Sequence, residues 1–232
     1  MCGFAGLIAG NGNAKWRPEE RILASMGDAL QHRGPDAAGI WLEGNAGLVH
    51  RRLAIQDLSV AGAQPMVSAS GRFVISFNGE IYNFRALRDE LAKTGAEFKG
   101  HSDTEVMLAA FDAWGVESSL DRFNGMFAFA LVDLAERQLI LARDRMGEKP
   151  LYYGWQKGVL LFGSELKALR AHPSWQGDVD RNALTLLLRH NLIPAPHTIY
   201  QNIAKLPPAS SVVFDLDGPV DVWPEPKRYW SL

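Results

Sequence analysis

Hydrophobic positions recur along the 232-residue chain with two different periods, and the changes of period mark its elements. Residues 2–8 are apolar and rich in small side chains, which reads as a buried strand with Cys2 at its exposed beginning. After a Gly/Asn turn over 10–13, Pro18 opens a segment in which Ile22, Leu23, Met26 and Leu30 follow helical spacing. Glu19 and Glu20 lie in its first turn, where the helix dipole favours acids. Short strands are expected at Gly39–Leu42 and Gly47–His50, joined by a hairpin loop at Glu43–Ala46. A further strand over Arg72–Phe77 delivers Asn78-Gly79-Glu80. The helix after it turns Phe84, Leu87 and Leu91 inward and Arg85, Arg88 and Asp89 outward. A second helix opens at His101–Glu105, with Val106, Ala110, Phe111 and Trp114 as its apolar stripe.

Beyond Gly125 the period shortens to two. Met126–Asp133, Gln138–Asp144, Leu151–Trp155 and Val159–Gly163 read as a four-stranded meander, with Asp144–Pro150 a charged structural turn. Ser164–Ala171 and Arg181–Leu188 read as short helices. The last forty residues hold seven of the twelve prolines and little periodicity, so a connection is expected there. Helices early, strands around them and antiparallel strands later predict stacked sheets with helices outside, in one large domain.

Composition narrows the function. Lys and Arg number 24 against 26 Asp and Glu, with no basic block, which argues against nucleic acid or an anionic membrane as partner. No apolar run approaches the ~18–20 residues of a membrane span. The one cysteine cannot form an internal disulfide. The expectation is a soluble, cytoplasmic protein with a small-molecule partner. No Cys/His cluster, GxxxxGK[ST] loop or GxGxxG fingerprint occurs, so no metal or nucleotide site is expected.

Four places carry candidate chemistry. Removal of Met1 would leave Cys2 with a thiol and a free α-amine, nucleophile and base in one residue, although most free cysteines are small buried hydrophobes. Arg51 and Arg52 stand at a strand end, where one guanidinium can clamp a carboxylate while the other is solvated. Gly79 lets the backbone approach a ligand, so its N–H and the Asn78 amide can point at one oxygen, but Asn-Gly is also a common tight-turn dipeptide. Asp103 stands where a helix cap is expected, or where a carboxylate can hold an ammonium.

The motifs MCG, His32–Asp36 (HRGPD), Arg52–Ile55, Ala61–Pro65 (AGAQP), Phe77–Asn83 (FNGEIYN) and Ser102–Glu105 (SDTE) occur in this order, followed by Gly125–Leu131 (GMFAFAL), Asp144–Tyr153 and Gly163–Leu169. Together they resemble the glutaminase domain of asparagine synthetases, class II glutamine amidotransferases of the N-terminal nucleophile hydrolase fold. That resemblance implies an α+β, four-layer αββα sandwich of two antiparallel sheets between helices. It implies Cys2 as nucleophile with its α-amine as base, and Asn78 and Gly79 as oxyanion hole. Arg52 would sit on the glutamine α-carboxylate and Asp103 on its α-ammonium, with Glu80 a further contact and the Leu53–Gln56 backbone, including Ile55, lining the pocket. Arg51 stands where related bacterial sequences often carry glutamate.

On this reading residues 2–190 are the glutaminase domain and 191–232 an extension toward a synthetase domain absent from this chain. No SGGxDS loop occurs, so ATP and magnesium would belong to that absent domain and this chain would need no cofactor. L-glutamine and the ammonia-receiving synthetase domain are the implied partners, with a homodimer left open. Two alternatives stand beside this: the amidotransferase domain of a different ammonia-using synthase, and a non-catalytic interaction domain of the same fold.

Overall fold

The computed structural model describes residues 1–10 and 17–231. The Gly/Asn turn expected over 10–13 therefore lies, after Gly10, outside the described residues.

Two six-stranded antiparallel sheets form the centre. The first has the order β10 (Ala204–Lys205), β8 (Tyr152–Gln156), β9 (Val159–Gly163), β1 (Gly3–Ala9), β3 (Ala46–Arg52), β2 (Ala37–Glu43). The second runs β12 (Lys227–Arg228), β11 (Ser210–Asp215), β7 (Gln138–Arg143), β6 (Gly125–Asp133), β5 (Phe73–Ile81), β4 (Met66–Val67).

Alternation along the strands builds the layers, since successive side chains leave opposite faces of a sheet. Phe4, Ile8, Leu48, Leu160 and Phe162 point into the space between the sheets, where Val74, Ala128, Ala130, Leu141 and Phe214 meet them. Their neighbours Ala5, Leu7, Val49 and Leu161 point the other way, onto α1 (Glu20–Asp28) and α5 (Leu166–Arg170) through Leu23, Met26 and Leu169. On the far side, Ile75, Phe77, Phe127 and Phe129 pack on α2 (Phe84–Lys93), α3 (Asp103–Trp114) and α4 (Val116–Arg122). The result is the αββα sandwich expected from the sequence.

Phe111 anchors α3 to the second sheet, meeting Phe73, Phe123 and Phe129 at centroid separations of 6.1, 5.7 and 5.6 Å. Such a buried ring contributes roughly 1.5–3 kcal/mol to docking the helix on the sheet. The cap there is Ser102, whose Oγ accepts the Glu105 N–H at 3.3 Å, while the Glu105 carboxylate accepts the N–H groups of Lys99 and Gly100. With capping done by Ser102, the neighbouring Asp103 carboxylate is left for another task.

Two sequence expectations are corrected. The four-stranded meander is two hairpins in different sheets: β6 and β7 belong to the second, β8 and β9 to the first, and the turn at 144–150 carries the chain across. The last forty residues are more than a connection. β11 extends the second sheet alongside β7, β10 closes the first, and Leu206, Val212, Phe214 and Leu216 are core residues. Between β9 and this segment lies α6 (Arg181–His190), capped by the Asp180 carboxylate.

Candidate active site

Cys2 precedes β1, at the end of the first sheet where Gly3 pairs with Arg51. Its Sγ lies 3.3 Å from the Leu53 N–H, which donates to it, and 3.5 Å from the Leu53 carbonyl. Burial pushes the thiol above its ordinary range, opposed by the Leu53 N–H and by positive charge at the chain terminus and Arg52. The thiol opens on a cavity of about 90 Å³ between the two sheets. Every site residue expected from the sequence lines it: Cys2, Arg52, Leu53, Ile55, Asn78, Gly79, Glu80 and Asp103.

The two arginines part company because they occupy adjacent strand positions. Arg51 turns outward and pairs with the Asp28 carboxylate and the Gly27 carbonyl of α1. Arg52 turns into the cavity, held by the carbonyls of Ser59 and Asp57 from the following loop. Directly beneath it His50 is 1 % exposed and donates its Nε2–H to the Phe77 carbonyl, 3.0 Å away; burial holds it at about 4, hence neutral near pH 7.

Asn78 and Gly79 do not form a turn. They lie within β5, opposite Ala128 and Phe127 of β6. Phe127 exchanges bonds with Asp144 on its other side, accepting from the Asp144 N–H and donating to the Asp144 carboxylate. Gly79 therefore forms a non-hydrogen-bonded pair with it, and its N–H points to the open edge of β5. On that edge the Phe77 N–H reaches the Gln64 Oε1 at 2.7 Å and the Ile81 N–H reaches the Asp103 Oδ2 at 2.9 Å, with the Gly79 N–H between them. Glycine is required here, because a Cβ at 79 would overlap the Met126 carbonyl oxygen and stand 2.7 Å from the Phe127 Cα. Asn78 is 1 % exposed, and its Nδ2 is buried without a partner among the described residues. A buried amide N–H left unpaired costs about 1–3 kcal/mol, so an amide kept there has a use outside the fold.

Asp103 is raised to about 6, chiefly by burial, against the opposing N–H groups of Ile81 and Thr104.

The structure adds lining residues that the sequence did not offer. Gln64, from the AGAQP motif, spans from β5 to α3 by accepting from the Phe77 N–H and donating to the Thr104 hydroxyl. Asp57, held near 2 by the N–H groups of His101 and Ser59 and by the Ser59 hydroxyl, and Lys149 border the same space. Met1 also lines it. Among the described residues no group of His, Cys, Asp or Glu is arranged to hold a metal, and no helix is long and apolar enough to cross a membrane.

A two-sheet sandwich that presents a terminal-strand cysteine to a cleft between its sheets is the architecture of the N-terminal nucleophile hydrolases. The profile of one of its families, the glutamine amidotransferase domain, matches residues 1–230, and the chain belongs to that family. It is 37% identical over 235 residues to asparagine synthetase [glutamine-hydrolyzing] 3 of Bacillus subtilis (strain 168), covering all of this chain and 37% of that protein. It is 35% identical over 237 residues to a putative asparagine synthetase [glutamine-hydrolyzing] 2 of Methanocaldococcus jannaschii, covering 94% of this chain and 44% of that one. The chain thus spans well under half the length of these relatives. The fold matches that of the glutamine phosphoribosylpyrophosphate amidotransferase of B. subtilis, with a TM-score of 0.69 at 20% identity over 99% of this chain and 49% of that one.

Proposed function

We propose that this domain hydrolyses the side-chain amide of L-glutamine at Cys2 and supplies the ammonia to an asparagine-synthetase-type domain. The observation that carries the reading is the Asn78 amide, unpartnered among the described residues, in the cavity onto which the Cys2 thiol opens. In the reaction, the Cys2 α-amine takes the thiol proton as sulfur attacks the amide carbon. The oxyanion is held by the Asn78 Nδ2 and the Gly79 N–H. Collapse returns the proton to the leaving nitrogen, releasing ammonia and leaving a glutamyl thioester. Water, deprotonated by the same amine, then attacks the thioester, and glutamate leaves as the thiol is restored. Arg52 pairs with the substrate α-carboxylate, Asp103 with its α-ammonium, and Glu80 and the backbone from Leu53 to Ile55 close the site around it. ATP and magnesium belong to the synthetase part, and the cytoplasm is where such a reaction would draw on free glutamine.

Met1 borders the cavity and acylates the nitrogen that the reaction needs as a base. Active protein is therefore expected to show an intact mass lacking Met1 and to release glutamate and ammonia in equal amounts, indifferent to ATP, magnesium and aspartate. Full turnover by a form retaining Met1 would refute the amine as base.

Binding and chemistry should separate by residue. Arg52→Ala and Asp103→Asn are expected to raise KM for glutamine at least tenfold with a smaller change in kcat, since both hold groups remote from the reacting amide. Only ionised Asp103 can pair with the substrate ammonium. Parent KM should accordingly rise as pH falls through about 6, where the carboxyl takes up its proton, while Asp103→Asn should lose this dependence. An effect at Arg51 and none at Arg52 would shift the assignment by one residue.

A further inference from the structure

The turn from Asp144 to Pro150 is built with more buried charge than a chain reversal needs. The fully buried Asp144 carboxylate accepts the N–H groups of Met146, Glu148 and Lys149 at 3.1, 2.9 and 3.0 Å, and that of Phe127 at 3.2 Å. Arg143 points its guanidinium at the carbonyls of Lys149, Gly147 and Leu206. Its own carbonyl accepts the Tyr229 hydroxyl at 2.7 Å. This frame, tied to β6 at Phe127, the partner of Gly79, fixes one side chain that enters the cavity, Lys149.

Lys149 is 4 % exposed and pairs with no carboxylate among the described residues; its Nζ lies 2.9 Å from the Met1 Sδ, a neutral thioether. Buried ammonium groups are ordinarily paired, because an isolated one loses its hydration for nothing in return. Loss of Met1 removes the thioether and puts a new α-amine at Cys2 in the same cavity.

We propose that Lys149 is a positioning residue for the reaction, whose ammonium acts through the Cys2 α-amine by keeping that amine unprotonated and so available as a base. This rests on the reading of Cys2 above. The charges around the amine are Arg52 from β3, Asp57 from the loop after it, Glu80 from β5, Asp103 from α3 and Lys149 from the turn, with the neutral His50 beneath Arg52. Three carboxylates favour a protonated amine, and Arg52 is already engaged by the Ser59 and Asp57 carbonyls. Lys149 is the counterweight. Like charge sharing one buried cavity disfavours protonation, so replacing Lys149 by a neutral side chain must make the amine easier to protonate.

The test is the pH profile of kcat at saturating glutamine, where the substrate ammonium occupies Asp103 and keeps its titration out of the limb. Lys149→Met and Lys149→Gln, each verified to lack Met1, are expected to move the acidic limb of kcat upward by about one pH unit. They should reach at least a third of the parent plateau at high pH with KM within threefold, and Lys149→Arg should keep the parent limb. If either neutral variant folds with an unshifted limb, or loses the same factor at every pH, the inference is overturned; so it is if Lys149→Arg shifts as far as Lys149→Met. Alkylation of Cys2 by a glutamine-like electrophile in the parent checks the underlying reading separately. A parent that is alkylated while the limb stays fixed removes Lys149 alone, and a parent that is active without a reactive Cys2 removes both.

Discussion

Cys2→Ala is expected to bind glutamine and fail to hydrolyse it. Alanine removes the sulfur and nothing else: the α-amine, the Arg52 guanidinium, the Asp103 carboxylate and the Asn78 amide all remain in the cavity. No other cysteine exists in the chain to substitute for it. Removing a nucleophile that works as a unit with its base typically costs 10⁴-fold or more in kcat, so turnover should fall to about 10⁻⁴ of the parent or below. The fold should survive, because Sγ is only partly buried and makes one accepted hydrogen bond, from Leu53. Calorimetry should find glutamine affinity within a few-fold of the parent KM, and the thermal midpoint should move by no more than a few degrees. Turnover within tenfold of the parent would remove Cys2 from the reaction. Lost affinity with an unchanged midpoint would make Cys2 a binding residue instead.

The parts of this molecule that the sequence displays are those in which one chain segment determines its own geometry. The helical spacing of Ile22, Leu23 and Met26, and of Val106, Ala110 and Phe111, marks α1 and α3 because each helix buries one continuous face against a sheet. α4 escapes that logic, since seven residues between Gly115 and Phe123 give too few turns for a period to show. Alternation identifies β6, β7, β8 and β9 as strands but is silent on partners, because an inward face looks the same in either sheet. What decides the split is the turn at 144–150, whose buried Asp144 and Arg143 look in sequence like any solvated charged loop. In the C-terminal segment, the prolines flank the short β-branched run Ser210–Asp215 without interrupting it, so composition hides a strand that the sheet edge accepts.

The site divides in the same way. Residue type alone left Cys2, Arg52, Asn78, Gly79 and Asp103 each with a structural alternative; it was the joint resemblance of the motifs that singled them out, and the fold brings all five to one cavity. The choice between Arg51 and Arg52 was legible only as an alternative, since period two guarantees that neighbours face apart without saying which faces in. Gln64 and Asp57 come from a loop whose path depends on α3, and Lys149 from a turn whose direction depends on the second sheet, so local pattern could not reach them.

Asn78→Ala is expected to make the protein slower and no less stable. The Asn78 Nδ2 is buried in the folded chain without an acceptor, so its removal breaks no hydrogen bond of that nitrogen and relieves the cost of leaving it dry, about 1–3 kcal/mol. Against this stands the small void left by truncating the side chain, so the thermal midpoint should stay level or rise slightly. Activity should move the other way. Loss of one oxyanion donor typically lowers kcat by 10²–10³, and the ground-state amide oxygen is held far less strongly than the oxyanion, so KM should stay within about threefold. The Gly79 N–H, fixed by the β5 pairing to the same edge, remains and accounts for the residual rate. Asn78→Asp should be slower still, since it sets a negative charge where negative charge develops. A fall in stability as large as the fall in rate would make Asn78 a structural residue. A large rise in KM at constant kcat would place it on the substrate's remote end. Loss of rate with stability kept or gained is the pattern expected of a polar group that the fold retains at its own expense for the transition state.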